Sequence, residues 1–116
     1  MSGAIASVIL RSPFTVAQSG LVLQLLSDQT SDVAETRKGR HWDFTDGGSR
    51  ASLTVLETHD RPEYHDDLMD AGLTTDDAPE IVVIAYPSKT DRNACRRLAV
   101  LVADLLAGLD RGVGDG

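Results

Sequence analysis

Residues 41–57 read HWDFTDGGSRASLTVLE, and this stretch decides the class of fold. Trp42 and Phe44 alternate with polar neighbours, and so do Ala51, Leu53 and Val55. Each run therefore has the period of two expected of a strand with one buried face. Between them lies DGGS, whose adjacent glycines accept the positive φ that a tight hairpin turn requires. The stretch reads as an antiparallel hairpin, which places sheet structure at the centre of the chain.

On the N-terminal side, Ala4–Leu10 (AIASVIL) is β-branched and apolar at successive positions, the pattern of an interior strand covered on both faces. Ser12-Pro13 offers an N-cap and a first helical position for FTVAQSGLVLQLLSDQTSDVAET. Phe14, Leu21, Val22, Leu25 and Leu26 share one stripe of that helix, and the polar SDQTSD can end it early. A basic loop, RKGR, leads into the hairpin. On the C-terminal side, Arg61-Pro62 opens a short helix over 62–71 that Gly72 closes as a left-handed C′ residue, with Leu73 packing back. After TTDDAP, the run EIVVIAY is a second strand apolar on both faces. Ser88 or Thr90 caps a last helix reaching about Leu109, with Ala94, Leu98, Leu101, Val102, Leu105 and Leu109 on its buried stripe.

The order β-α-β-β-α-β-α predicts an α+β two-layer sandwich. A four-stranded sheet carries helices mainly on one face, as a ferredoxin-like variant with one helix appended. Residues 1–110 are expected as a single domain and 111–116 as a flexible glycine-rich tail. Two strands apolar on both faces also require a cover for the second face of the sheet: the middle helix, a loop or a second subunit.

A chain of 116 residues, 41% hydrophobic and 25% charged, can bury one core, and this balance excludes wholesale disorder. Cys95 is the single cysteine, so neither an intramolecular disulfide nor a CxxC redox pair is available, and a reducing cytoplasmic compartment fits. No apolar run reaches the roughly 18–20 residues that cross a bilayer, and MSGAIASVIL reads as the first strand rather than as a leader. The net charge of −7 argues against nucleic acid as a partner. Residues 57–80 hold nine of the eighteen carboxylates and one base, Arg61. Their net of −8 leaves the other nine acids and ten bases at +1, so the acidity is a single patch.

The patch also contains His59 and His65, which invites a metal reading. Helical ligands need spacings of i,i+3 or i,i+4, and from His65 those positions hold Arg61, Pro62, Leu68 and Met69, so no metal or cofactor is expected. Glu63, Asp67 and Asp70 share a helix stripe with Asp66 beside it, while Tyr64, Leu68 and Ala71 form a separate apolar one, which is the pattern of a solvated face rather than an acid-base pair. Ser49, Ser52 and Ser88 lack a G-x-S-x-G elbow, and Cys95 beside Arg96 and Arg97 reads as an inert helical cysteine. RKGR and the Arg92–Arg96 pair are basic spots without the glycine spacing of a phosphate loop. No catalytic residue is assigned, and a non-enzymatic role is expected. The expected contact face for a basic protein partner comprises Asp60, Glu63, Tyr64, Asp66, Asp67, Met69, Asp70, Asp76 and Asp77.

From its ASVIL strand to its RRLAVLVADLLAGL helix, this small acidic α/β chain resembles the immunity proteins encoded beside bacterial polymorphic or contact-dependent toxins. Nine arginines against two lysines also suit a GC-rich bacterial coding sequence. The resemblance implies a cytosolic protein that occludes a toxin's active site, commonly that of a basic nuclease, by charge and shape; it transfers no residue roles. The competing expectation is a small-metabolite-sensing regulatory ferredoxin-like domain, acting as a homodimer with its pocket near Arg37, Lys38 and Arg40.

Overall fold

The computed structural model describes residues 3–115. It runs β1 (Ala4–Leu10), α1 (Val16–Gln29), β2 (Ser31–Thr36), β3 (His41–Asp46), β4 (Ser49–Glu57), α2 (His65–Asp70), β5 (Glu80–Tyr86), α3 (Arg92–Leu106) and β6 (Leu109–Asp115). The hairpin is β3 and β4. Trp42 faces Leu53 and Phe44 faces Ala51, and Gly47 and Gly48 join the strands at φ of 59° and 88°, as in a type I′ turn.

The strands form one antiparallel sheet in the order β2-β3-β4-β5-β1-β6. The α+β class holds, but the four-stranded, ferredoxin-like expectation is overturned. Both strands that it lacked are edges. SDVAET forms β2, exposed at every position but Val33, because an edge strand with one wet face has few apolar positions to show. The glycine-rich end, expected as a loose tail from residue 111, forms β6 against β1; Gly116 lies outside the described residues.

The strands with two apolar faces, β1 and β5, are paired in the interior of the sheet, as their composition requires. Strand direction alternates across the sheet, so β1 and β2 run the same way, and so do β5 and β6. Such pairs need long crossovers, which α1 and α3 provide. Both helices pack on one face. Val22 and Leu26 of α1 and Cys95, Leu98, Ala99, Val102, Ala103 and Leu106 of α3 share a core with Ala6, Val8, Trp42, Phe44, Leu53 and Ile84. Fully burying each large side chain contributes about 1.5–3 kcal/mol. Two edge-to-face ring pairs fix the orientation within this core: Phe14 with Trp42 at 6.3 Å, and Phe44 with Tyr86 at 6.2 Å.

Local chemistry moved both long helices from their expected limits. α1 starts at Val16 with Thr15 as N-cap; the Thr15 hydroxyl accepts from the Gln18 N–H, and the Gln18 side chain accepts from the Thr15 N–H. This capping box outcompetes the Ser12-Pro13 start. Leu21, expected on the buried stripe, is exposed. α3 ends at Leu106, with Ala107 in the left-handed region, so Leu109 belongs to β6; the helix's buried stripe, Cys95, Leu98, Ala99, Val102, Ala103 and Leu106, lies about one residue round from the expected one.

The second face has a separate, smaller cluster. Ile9 and Ile81 are buried there under Leu68 and Ala78, with Leu56, Tyr64, Ala71, Leu73 and Leu109 packed around them. Farther along the same face, Ile5, Ser7, Val83 and Ala85 remain half-buried. The segment around α2 therefore covers one end of this face and leaves the rest open.

Candidate functional site

The acidic stretch leaves the sheet at Glu57 and re-enters it at Glu80, which are register partners, so the whole segment is one excursion closed at its neck. The buried Thr58 ties that neck. Its hydroxyl donates to the Ala78 carbonyl at 2.6 Å, its N–H donates to the Pro79 carbonyl at 3.0 Å, and its own carbonyl lies 3.0 Å from His65 Nε2. Two short 3-10 turns, 58–60 and 62–64, precede α2. The expected helix over 62–71 is thus shortened at its start. Its end is as expected: Leu73 N–H bonds Leu68 O, Gly72 N–H bonds Met69 O, and Gly72 has a φ of 73°, which together make a Schellman stop.

With Leu68 and Ala78 pinned inward, the remaining side chains are sorted. Asp60, Glu63, Asp66, Met69, Asp70, Asp76 and Asp77 are exposed. Tyr64 and Asp67 are half-buried and line a groove against Arg111 of β6. Glu63 lies in a 3-10 turn, so it does not continue an α-helical stripe with Asp67 and Asp70. Asp77 has a local duty, accepting from the Thr74 N–H and hydroxyl at 3.0 Å. Burial first, and then the nearby Glu63 carboxylate, raise the Tyr64 pKa, so its phenol stays a donor.

Glu80 is not part of the acidic surface. It is buried, accepts from the Phe14 N–H at 2.7 Å and pairs with Arg40. Arg40 also lies 6.0 Å from the centre of the Phe14 ring. One of the three basic residues considered for a metabolite pocket is thereby committed to the fold. Arg37 and Lys38 sit in the turn between β2 and β3 with φ of 52° and 56°. Lys38 and Arg40 border a hollow of about 220 Å³ with Phe14 and Ser19.

The only described histidine-carboxylate group with metal-like spacing is Glu57, His59 and Asp60, whose donor atoms lie within 4.8 Å of one another. All three are exposed, with His59 Nε2 at 3.4 Å from Asp60 and 3.8 Å from Glu57, a grouping that charge attraction at a surface also produces. His65 does not join it. On the open sheet face, His41 bridges Thr54 at 2.7 Å and Asp43 at 3.2 Å, a linkage hidden in the sequence because Thr54 belongs to the opposite strand. It superficially has the order of a nucleophile relay. Thr54, however, is within an interior strand paired on both sides, so among the described residues its neighbouring backbone N–H groups are engaged in the sheet rather than free as oxyanion donors.

Ser49 donates to Asp91 at 2.9 Å and Ser88 caps the turn before α3, so both have structural employment; Ser52 is half-buried on the open face. Cys95 is fully buried, and burial pushes its thiol up to about 11, away from nucleophilic reactivity. Arg96 and Arg97 beside it point outward as exposed residues. Among the described residues no helix is long and apolar enough to cross a membrane. Comparison with known proteins returned no family model, no curated relative and no solved structure that matches this chain.

Proposed function

We propose that the chain is a non-enzymatic protein-binding domain that meets a basic partner through the excursion between β4 and β5. The observation that carries this reading is a set of exposed carboxylates, Glu63, Asp66, Asp70 and Asp76, on the same excursion as Met69, whose surface is 71% exposed. Beside Met69 lies an apolar notch of about 180 Å³ formed with His65, Leu68, Leu73, Thr74 and Thr75. Acids at the rim accelerate encounter with a cationic surface, and an apolar centre slows escape from it. The scaffold suits the task because Leu68, Ala78 and the Thr58 staple hold the carboxylates together despite their repulsion. The most concrete version is an immunity-like inhibitor in a reducing cytoplasm, occupying the active cleft of a basic toxin domain, with no nucleic acid or cofactor of its own.

The test neutralises the outward acids and spares Asp67 and Asp77, which face the groove and the Thr74 turn. Wild type and the E63Q/D66N/D70N variant are used to capture partners from the native cell, and association with the captured protein is followed against salt. The variant should associate about 10-fold more slowly at low salt, with a shallower salt dependence. An unchanged on-rate and salt slope would remove the patch from the mechanism.

A further inference from the structure

The groove inward of α2 has a different chemistry from the acidic rim. Ile5 and Ser7 of β1 line it, together with Tyr64 and Asp67 on the α2 side and Arg111 and Gly112 on the β6 side. On β6 the pairing shifts, because Ala6 faces Val113 while Val8 faces Asp110, so Arg111 and Gly112 together oppose Ser7. Bulges of this kind re-aim a side chain out of the regular pleat. The space measures about 390 Å³, within the range of small-molecule sites.

Two features make it more than a surface dent. Arg111 is half-buried, and its side chain makes no hydrogen bond or ion pair among the described residues. Asp67 lines the same space, yet no ion pair joins the two side chains. A plain anion placed there would meet Arg111 but be repelled by Asp67, and a plain cation would meet the reverse. A ligand carrying both charges satisfies both.

We propose that this groove binds a small zwitterion of the α-amino-acid class, with its carboxylate on Arg111 and the Tyr64 hydroxyl and its ammonium on Asp67. Ile5 offers apolar contact for an uncharged side chain, and Gly112 and Gly114 leave room for it. The site is independent of partner docking, since none of the acids neutralised in that test lines it.

The test is amide NMR of the intact chain, titrated separately with each L-amino acid that has an uncharged side chain. For the tightest of them, the corresponding amine and the corresponding des-amino acid are then titrated. At least one amino acid should shift the amides of residues 5–7, 64–67 and 111–114 at millimolar concentration or below. Its amine and des-amino counterparts should bind at least about 10-fold more weakly, because each leaves one of the two half-buried charges unanswered. Arg111→Met and Asp67→Asn should each lose binding by a similar factor while keeping the wild-type melting temperature. Absence of shifts with every amino acid, or a des-amino acid that binds as well as its zwitterion, would overturn the proposal. That ligand series needs no variant, so it decides the matter even if a substitution disturbs folding.

Discussion

Replacing Glu80 with alanine should lower stability by about 2–4 kcal/mol. The carboxylate is 8% exposed at the start of β5, with one oxygen held by the Phe14 N–H and the other by Arg40. Removing one partner of a buried ion pair costs roughly 3–5 kcal/mol, mostly from the charge left behind. Here Arg40 is 33% exposed, so water recovers part of that term and the lower end applies. The Phe14 N–H, left without its acceptor, adds about 1–3 kcal/mol only to the extent that water cannot reach it. Glu80→Gln keeps an acceptor for Phe14 and loses only the charge, so it should cost less, about 1–2 kcal/mol. Urea unfolding followed by circular dichroism gives both values from midpoint shifts at constant slope. A double-mutant cycle with Arg40→Met should return a coupling of at least ~1 kcal/mol. An alanine variant within about 0.5 kcal/mol of wild type, the scatter of ordinary surface changes, would refute the assignment of Glu80 as the clamp between β5 and the approach to α1.

Two further outcomes test the packing. Because burial raises the folded-state Cys95 pKa from 9.0 to about 11, its contribution to stability is complete below pH 9 and is lost as pH rises through about 11. At about 1.4 kcal/mol per unit the loss is on the order of 2–3 kcal/mol, so Cys95→Ala should flatten the pH dependence of urea midpoints across that window. A variant as steep as wild type would exclude the thiol as the cause. Gly108→Ala would place a Cβ 2.6 Å from Val8 Cγ1 and 3.0 Å from the Ile9 carbonyl, and overpacking of this kind costs about 1–3 kcal/mol. An unchanged melting midpoint would show that the turn into β6 is not seated on β1 in this way.

What the sequence made legible was whatever it wrote in hydrophobic period. The β3–β4 hairpin, the interior position of β1 and β5, and the Gly72 stop of α2 all follow from local patterns, because burial on one or both faces dictates residue type directly. The edges were illegible for the converse reason. Strand β2 is polar nearly throughout, and β6 holds five glycines or charged residues against two apolar ones, so their strand character comes from pairing and not from composition. The T-x-x-Q box at Thr15 was present in the sequence but stood behind a more familiar Ser-Pro start. The acidic residues were found by charge; what charge could not reveal was their sorting, with Glu80 in the interior, Asp67 toward a groove and the rest outward. Arg111 carried no signal at all, since its position depends on a bulge opposite Ser7 in a strand a hundred residues away.

That sorting turns on the shortness of α2. Consecutive residues of an α-helix diverge by about 100°, so once Leu68 is fixed against Ile9 and Ile81, Asp66 and Asp67 must leave the helix in different directions. Asp66 is exposed and Asp67 is half-buried in the groove, which gives adjacent carboxylates unrelated surroundings. The anchoring that makes the rim a rigid charged surface therefore also supplies one acid to the groove behind it. The two proposed roles are separable, because rim acids would act through long-range potential in water while Asp67 would act on a ligand at contact range. Salt would discriminate between them for the same reason: screening at physiological ionic strength should weaken encounter at the rim far more than recognition in the groove.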